Sequence, residues 1–292
     1  MPALGAAWML VAGLCFALMS AVVQVAGQWF SGVELVFYRS LFAFVLIAVP
    51  LMVRHRGAGI AHLAGAYLSQ HLQRGVVGFL ALATFFYALL KLPMSVAVTL
   101  NYASPLFLAV MMPWQLQEQP SREQYLAVAA GFVGVVLLLR PWTAPATDVQ
   151  AGLVGLFSGV MAALAYVNVR RLGRLQEPEW RTVFWFAAVC LVGAGGLATL
   201  TGWHPVQAGA LPWLLALGGL ATAGQLAMTR AYRTGQTARV ASFAFSTVLF
   251  SALLDALIFK QILPPVAWLG MAVIVAGGVW AARLNNNPGA NG

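Results

Sequence analysis

The chain predicts an all-α membrane protein of ten transmembrane helices, built as two inverted five-helix repeats with both termini in the cytoplasm. Three observations predict it. Of 292 residues, 61% are apolar and only 8% charged, whereas a soluble domain carries about 25% charged residues to cover its surface. Apolar runs recur at the roughly 20-residue length that crosses a hydrocarbon core. The basic residues fall on alternate connections, as they do when charge sets orientation.

The spans are predicted at 4–25, 33–53, 75–92, 94–114, 124–140, 152–170, 180–200, 211–230, 239–259 and 265–283. The first lacks the basic leader of a signal peptide and is too long for one, so it counts as a span. Pro93, Pro212 and Pro264–Pro265 mark span starts, where a missing N–H is tolerated. Pro105 falls inside the fourth span and should break it. With the N-terminus inside, twelve arginines, among them Arg74 and Arg181, lie on the cytoplasmic side; Lys91, Arg140 and Lys260 lie outside. Between spans 2 and 3, Ile60, Leu63, Tyr67, Leu68 and Leu72 recur at helical spacing, with His62 and His71 among them. That pattern fits a helix lying in the interface. Residues 285–292 are expected to be a disordered tail.

Composition also excludes function classes. The net charge of +9 is spread over the ends of apolar runs, so no nucleic-acid surface is expected. Cys15 and Cys190 lie inside spans and all four histidines lie in connections, so neither a metal site nor a cofactor is expected. Enzymatic chemistry inside the membrane would need paired acids or a nucleophile with its base. Phe157-Ser158-Gly159 resembles part of a membrane serine protease motif, but Leu156 precedes it where that motif has glycine and no span supplies a histidine. The chain is expected not to be an enzyme.

A shift of 143 positions brings Gly134 onto Gly277 and Arg140 onto Arg283, dividing the chain into 1–141 and 150–284. Five spans per repeat force the second to insert upside down, a plan of secondary transporters that bind solute where the repeats meet. Residues Glu34 to Ala43 with Tyr38 and Arg39, then Tyr87 to Pro93, Asn101-Tyr102-Ala103-Ser104-Pro105, Glu118, Gly131 and Gly134 resemble the EamA-type permeases of the drug/metabolite transporter superfamily. Val248 and Gln261 depart from that pattern in the second repeat. The resemblance implies a multi-pass protein of the cytoplasmic membrane that moves small organic solutes, amino acids outward being the favoured cargo. Uptake of a vitamin, nucleoside or cofactor-like solute is the alternative.

An ionised side chain inside a span costs roughly 2.5–3.5 kcal/mol on insertion scales, so Arg39 and Asp255 need a reason. At similar depth, they are expected to pair as a gate, with Asp255 the candidate proton carrier. Candidate solute-binding groups are Gln24, Thr84, Tyr87, Thr99, Asn101, Tyr102, Tyr166, Gln225 and Ser246, because amide and phenol groups are costly to face toward lipid. Thr247, Ser251 and Asp255 form one stripe at i, i+4 and i+8. Partners are thus a small solute, lipid and a candidate coupling proton; monomer and homodimer both stay open. Gly131, Gly134, Gly270 and Gly277 mark spans 5 and 10 as a close-packed support away from the cavity.

Overall fold

A computed structural model describes residues 2–54, 65–115, 122–140, 142, 145–234, 243–261 and 263–284. The described residues form α1 (Pro2–Ala26), α2 (Gly32–Arg54), α3 (Leu68–Lys91), α4 (Met94–Asn101), α5 (Ser104–Gln115), α6 (Arg122–Leu139), α7 (Ala146–Arg174), α8 (Glu179–Thr201), α9 (Leu211–Thr234), α10 (Ser246–Leu257) and α11 (Pro265–Leu284). Among the described residues, five helices are long and apolar enough to cross a membrane; four further apolar stretches, including the α4–α5 pair, are shorter. Glu118, the part of the expected interfacial helix up to residue 64 and the expected tail 285–292 lie outside the described residues.

Two sequence expectations are sharpened here. The fourth predicted span is two helices, α4 and α5, turning at Tyr102–Ala103. Pro105 has no N–H, and its ring excludes the carbonyl of Asn101 four residues earlier. At the position 143 residues on, Phe245 likewise turns between helical Phe243–Ala244 and α10. The second change is at α3, which begins at Leu68 and not at residue 75. Leu68 and Leu72, assigned from their spacing to an interfacial helix, are the first turns of this span, and Arg74 is carried inside it.

Packing between the halves is reciprocal. The first helix of each half packs on the third of the other, α1 on α9 and α7 on α3. The second helices pack together (α2 on α8), as do the last (α6 on α11), and each first helix also meets the other half's broken helix. The α6–α11 seam is as close as its glycines predict. A Cβ on Gly277 would stand 2.9 Å from the carbonyl oxygen of Ala127, and one on Gly134 2.8 Å from that of Gly270.

Polar ties fasten the ends of α8. At the start of α2, the fully buried Glu34 accepts from Ser31 N and Oγ at 2.8 Å and from the His204 N–H at 2.7 Å, and lies 2.8 Å from His204 Nδ1. His204 follows the C-terminal end of α8, so α2 and α8 run antiparallel. At the other end, Glu177 lies 3.0 Å from Nε2 of buried His71 and 2.7 Å from Arg181 Nη1. Burial alone would raise the Glu177 carboxyl, but the bonds from Arg181 and His71 outweigh it and hold it below the usual range.

Candidate functional site

A cavity of about 220 Å³ opens where α1, α2, α3, α7, α9 and the α4–α5 break converge. Its walls are mostly apolar, with Phe16, Met19, Leu82, Phe85, Phe186 and Met228 prominent; its polar groups are Ser20, Arg39, Arg74, Asn101, Tyr102, Ser104, Tyr166, Gln225 and Thr247.

The broken helix builds one wall. At the break, the carbonyls of residues 100 and 101 lie against α7, where a Cβ on Gly159 would stand 2.8 Å from Leu100 O and 3.3 Å from Asn101 O. Ser158 accepts from Asn101 Nδ2 at 2.9 Å. The Ser158–Gly159 pair, protease-like in sequence, here holds the break in place. The adjacent Tyr102 hydroxyl donates to Thr247 Oγ1 at 3.0 Å, joining the break to the first turn of α10.

Of the sequence-derived candidates, Arg39, Asn101, Tyr102, Tyr166 and Gln225 line this cavity. The others lie elsewhere. Gln24 donates from Nε2 to the carbonyls of Leu89 and Leu92 at 3.0 and 2.9 Å, using α1 to cap the C-terminal end of α3. Thr84 turns back on Leu80 O at 2.6 Å, and buried Thr99 on Ser95 O at 2.6 Å; both hydroxyls satisfy their own helices. Tyr87 is 42% exposed on the outer surface, away from the cavity. Ser246 packs against α1 at Gly13.

The expected Arg39–Asp255 pair does not form. Asp255, 1% exposed, accepts from Met94 N at 3.1 Å and Ser95 N at 2.7 Å. It thereby caps α4 from the opposite half, placing a carboxylate on unsatisfied donors at a helix N-terminus. Asp255 turns to α4 and Arg39 to the cavity. The Thr247–Ser251–Asp255 stripe is buried along its length, but only Thr247 reaches the cavity.

Arg74 is the residue missed from sequence. Counted with the cytoplasmic charges, it is instead a cavity residue whose Cζ lies 4.1 Å from the centre of the Phe186 ring. The helical spacing of Leu68 and Leu72 carried the signal, since it extends α3 toward its start.

Comparison with known proteins places the fold. The EamA-like transporter family matches residues 3–140 and again 150–282. An uncharacterized transporter of Helicobacter pylori is 27% identical over 289 residues, covering 95% of this chain and 94% of its own. A riboflavin transporter of Rhizobium johnstonii is 29% identical over 286 residues, covering 96% and 91%. A pseudopaline exporter of Pseudomonas aeruginosa is 29% identical over 277 residues, covering 94% of each. A solved crystal structure covers 98% of this chain and 100% of its own at 18% identity with a TM-score of 0.63, which shows the shared fold alone. With apolar helices and full-length matches in hand, the chain is a multi-pass transporter of the cytoplasmic membrane and belongs to the EamA-like family of the drug/metabolite transporter superfamily.

Proposed function

We propose that the chain is a secondary carrier, not an enzyme, which moves small organic metabolites by alternating access at the central cavity. Two five-span repeats, 1–141 and 150–284, inserted with opposite topology, would enclose it, both termini lying in the cytoplasm. The observation that carries this is the reciprocal packing of the halves around a cavity bounded by a broken helix, the arrangement that inverted-repeat carriers use.

Amino acids outward remain one cargo proposal. The relatives' names do not favour them, being those of a riboflavin transporter and a pseudopaline exporter. Uptake of a vitamin or cofactor-like solute is the second reading, supported by the riboflavin relative and by an aromatic wall suited to a flat ring. Counterflow in proteoliposomes tests the carrier itself. Labelled solute should accumulate transiently against an excess of the same solute inside. Equal rates with and without internal solute, for every amino acid and vitamin tried, would make the protein something other than a carrier of them.

A further inference from the structure

Two arginines face the cavity, and no carboxylate among the described residues balances them. Arg39 leaves its Nε unpartnered and Arg74 its Nε and Nη1, all buried. The two guanidiniums line one cavity. Three carboxylates among the described residues are engaged elsewhere: Glu34 with Ser31 and His204, Glu177 with His71 and Arg181, Asp255 with the start of α4. One unpaired cation inside a span is costly, and two together more so.

Arg74 also has a place shaped for it. One turn on, Gly78 leaves the space that the guanidinium fills; a Cβ there would collide with Arg74 Nη1 and stand 2.8 Å from the Phe186 ring. Stacking on Phe186 occupies a face of the guanidinium; its N–H groups lie in the plane of the fork, the geometry that recognises a planar pair of oxygens. The rest of the lining is neutral. Asn101, Tyr102 and Gln225 offer hydrogen bonds, and Phe16 and Phe85 offer apolar faces.

We propose that Arg39 and Arg74 together bind the carboxylate of the transported solute, whose flat apolar body lies against Phe16, Phe85 and Phe186. The assignment rests on the carrier reading above and names the class of cargo: a small aromatic or heterocyclic carboxylate. The solute brings the negative charge that the cavity lacks. Empty, the site holds two like charges whose removal relieves the fold.

The test uses the full-length protein in lipid nanodiscs and probes of shared shape and different charge: indole-3-propionate, its primary amide, tryptamine and inorganic phosphate. Indole-3-propionate at saturating concentration is expected to raise Tm by about 2–4 °C or more, as a ligand of the folded state does. The amide and tryptamine should leave Tm unchanged, and phosphate should act more weakly. In Arg39→Gln, Arg74→Gln and the double variant, the response should vanish while the ligand-free Tm rises. A fall in ligand-free Tm in both single variants would make the arginines structural and overturn the proposal. So would a tryptamine response equal to that of the carboxylate, a response surviving in the double variant, or no response to any probe. A phosphate response as large as that of indole-3-propionate would replace the organic carboxylate with a bare anion, free or from a lipid headgroup, and equally overturn it. Counterflow separates the two readings: a double variant that still exchanges a solute as fast as wild type leaves a carrier without this recognition, whereas absence of exchange in wild type removes the carrier.

Discussion

Glu34 and Glu177 stand 143 residues apart, the register shift that aligns the two halves of the sequence, and each reaches a histidine supplied by the opposite half. Glu34 takes His204 beyond the end of α8, and Glu177 takes His71 in the first turn of α3. The two ties lie at opposite ends of α8, whose 23 residues span about 35 Å at 1.5 Å per residue.

The Glu177 tie predicts an acid-sensitive contribution to stability. Its carboxyl is held below the ordinary value of 4.5, so its stabilisation is fully present above that value and is lost as pH falls through the lower folded-state pKa. Thermal unfolding of wild type and Glu177→Gln should differ by a constant amount above about pH 5 and converge in more acid solution. A difference that grows on acidification would contradict the sign.

Asp255 is expected to matter for stability through α4. Asp255→Ala removes the acceptor of two backbone N–H groups and should cost about 1–3 kcal/mol, with Asp255→Asn milder. If capping is its role, Asp255→Asn keeps the wild-type pH dependence of transport. Loss of that dependence in a folded Asp255→Asn would make the carboxyl a proton carrier instead.

Gln24 and Asn101 separate packing from solute contact. Gln24→Ala frees two carbonyls at the end of α3 and should lower Tm by the equivalent of about 1–3 kcal/mol without changing the Tm response to a bound solute. Asn101→Ala should weaken that response at least several-fold in apparent affinity. The reverse pattern would return Gln24 to the binding site.

Tyr102 and Thr247 join the two halves across the cavity. Tyr102→Phe, Thr247→Val and the double variant should show a coupling of about 0.5–1.5 kcal/mol in unfolding free energy. Strict additivity would mean that their 3.0 Å contact adds nothing to the fold.

The apolar helices, the break near Pro105 and the glycine seam were legible because each depends on local chemistry: apolar composition, a missing N–H, a missing side chain. The destinations of single polar groups were not. Thr84 and Thr99 carry the same chemistry as Thr247, yet only Thr247 lines the cavity, a matter of helix rotation that periodicity within one helix leaves open. Arg74 was misplaced because a basic residue near a span boundary looks like an orientation signal, and the boundary itself was seven residues off. Asp255 and Arg39, both counted inside spans, go to different partners, one to the start of α4 and the other to the cavity.

Between α6 and α11 the backbones lie so close that neither helix can slide past its neighbour without bringing a side chain where only hydrogen now fits. This fixes their register like the closed end of a pair of tongs. Any exchange of openings between the two membrane faces would then be taken up outside that join, in the helices whose hydrogen-bond ladders are already interrupted at Tyr102 and Phe245.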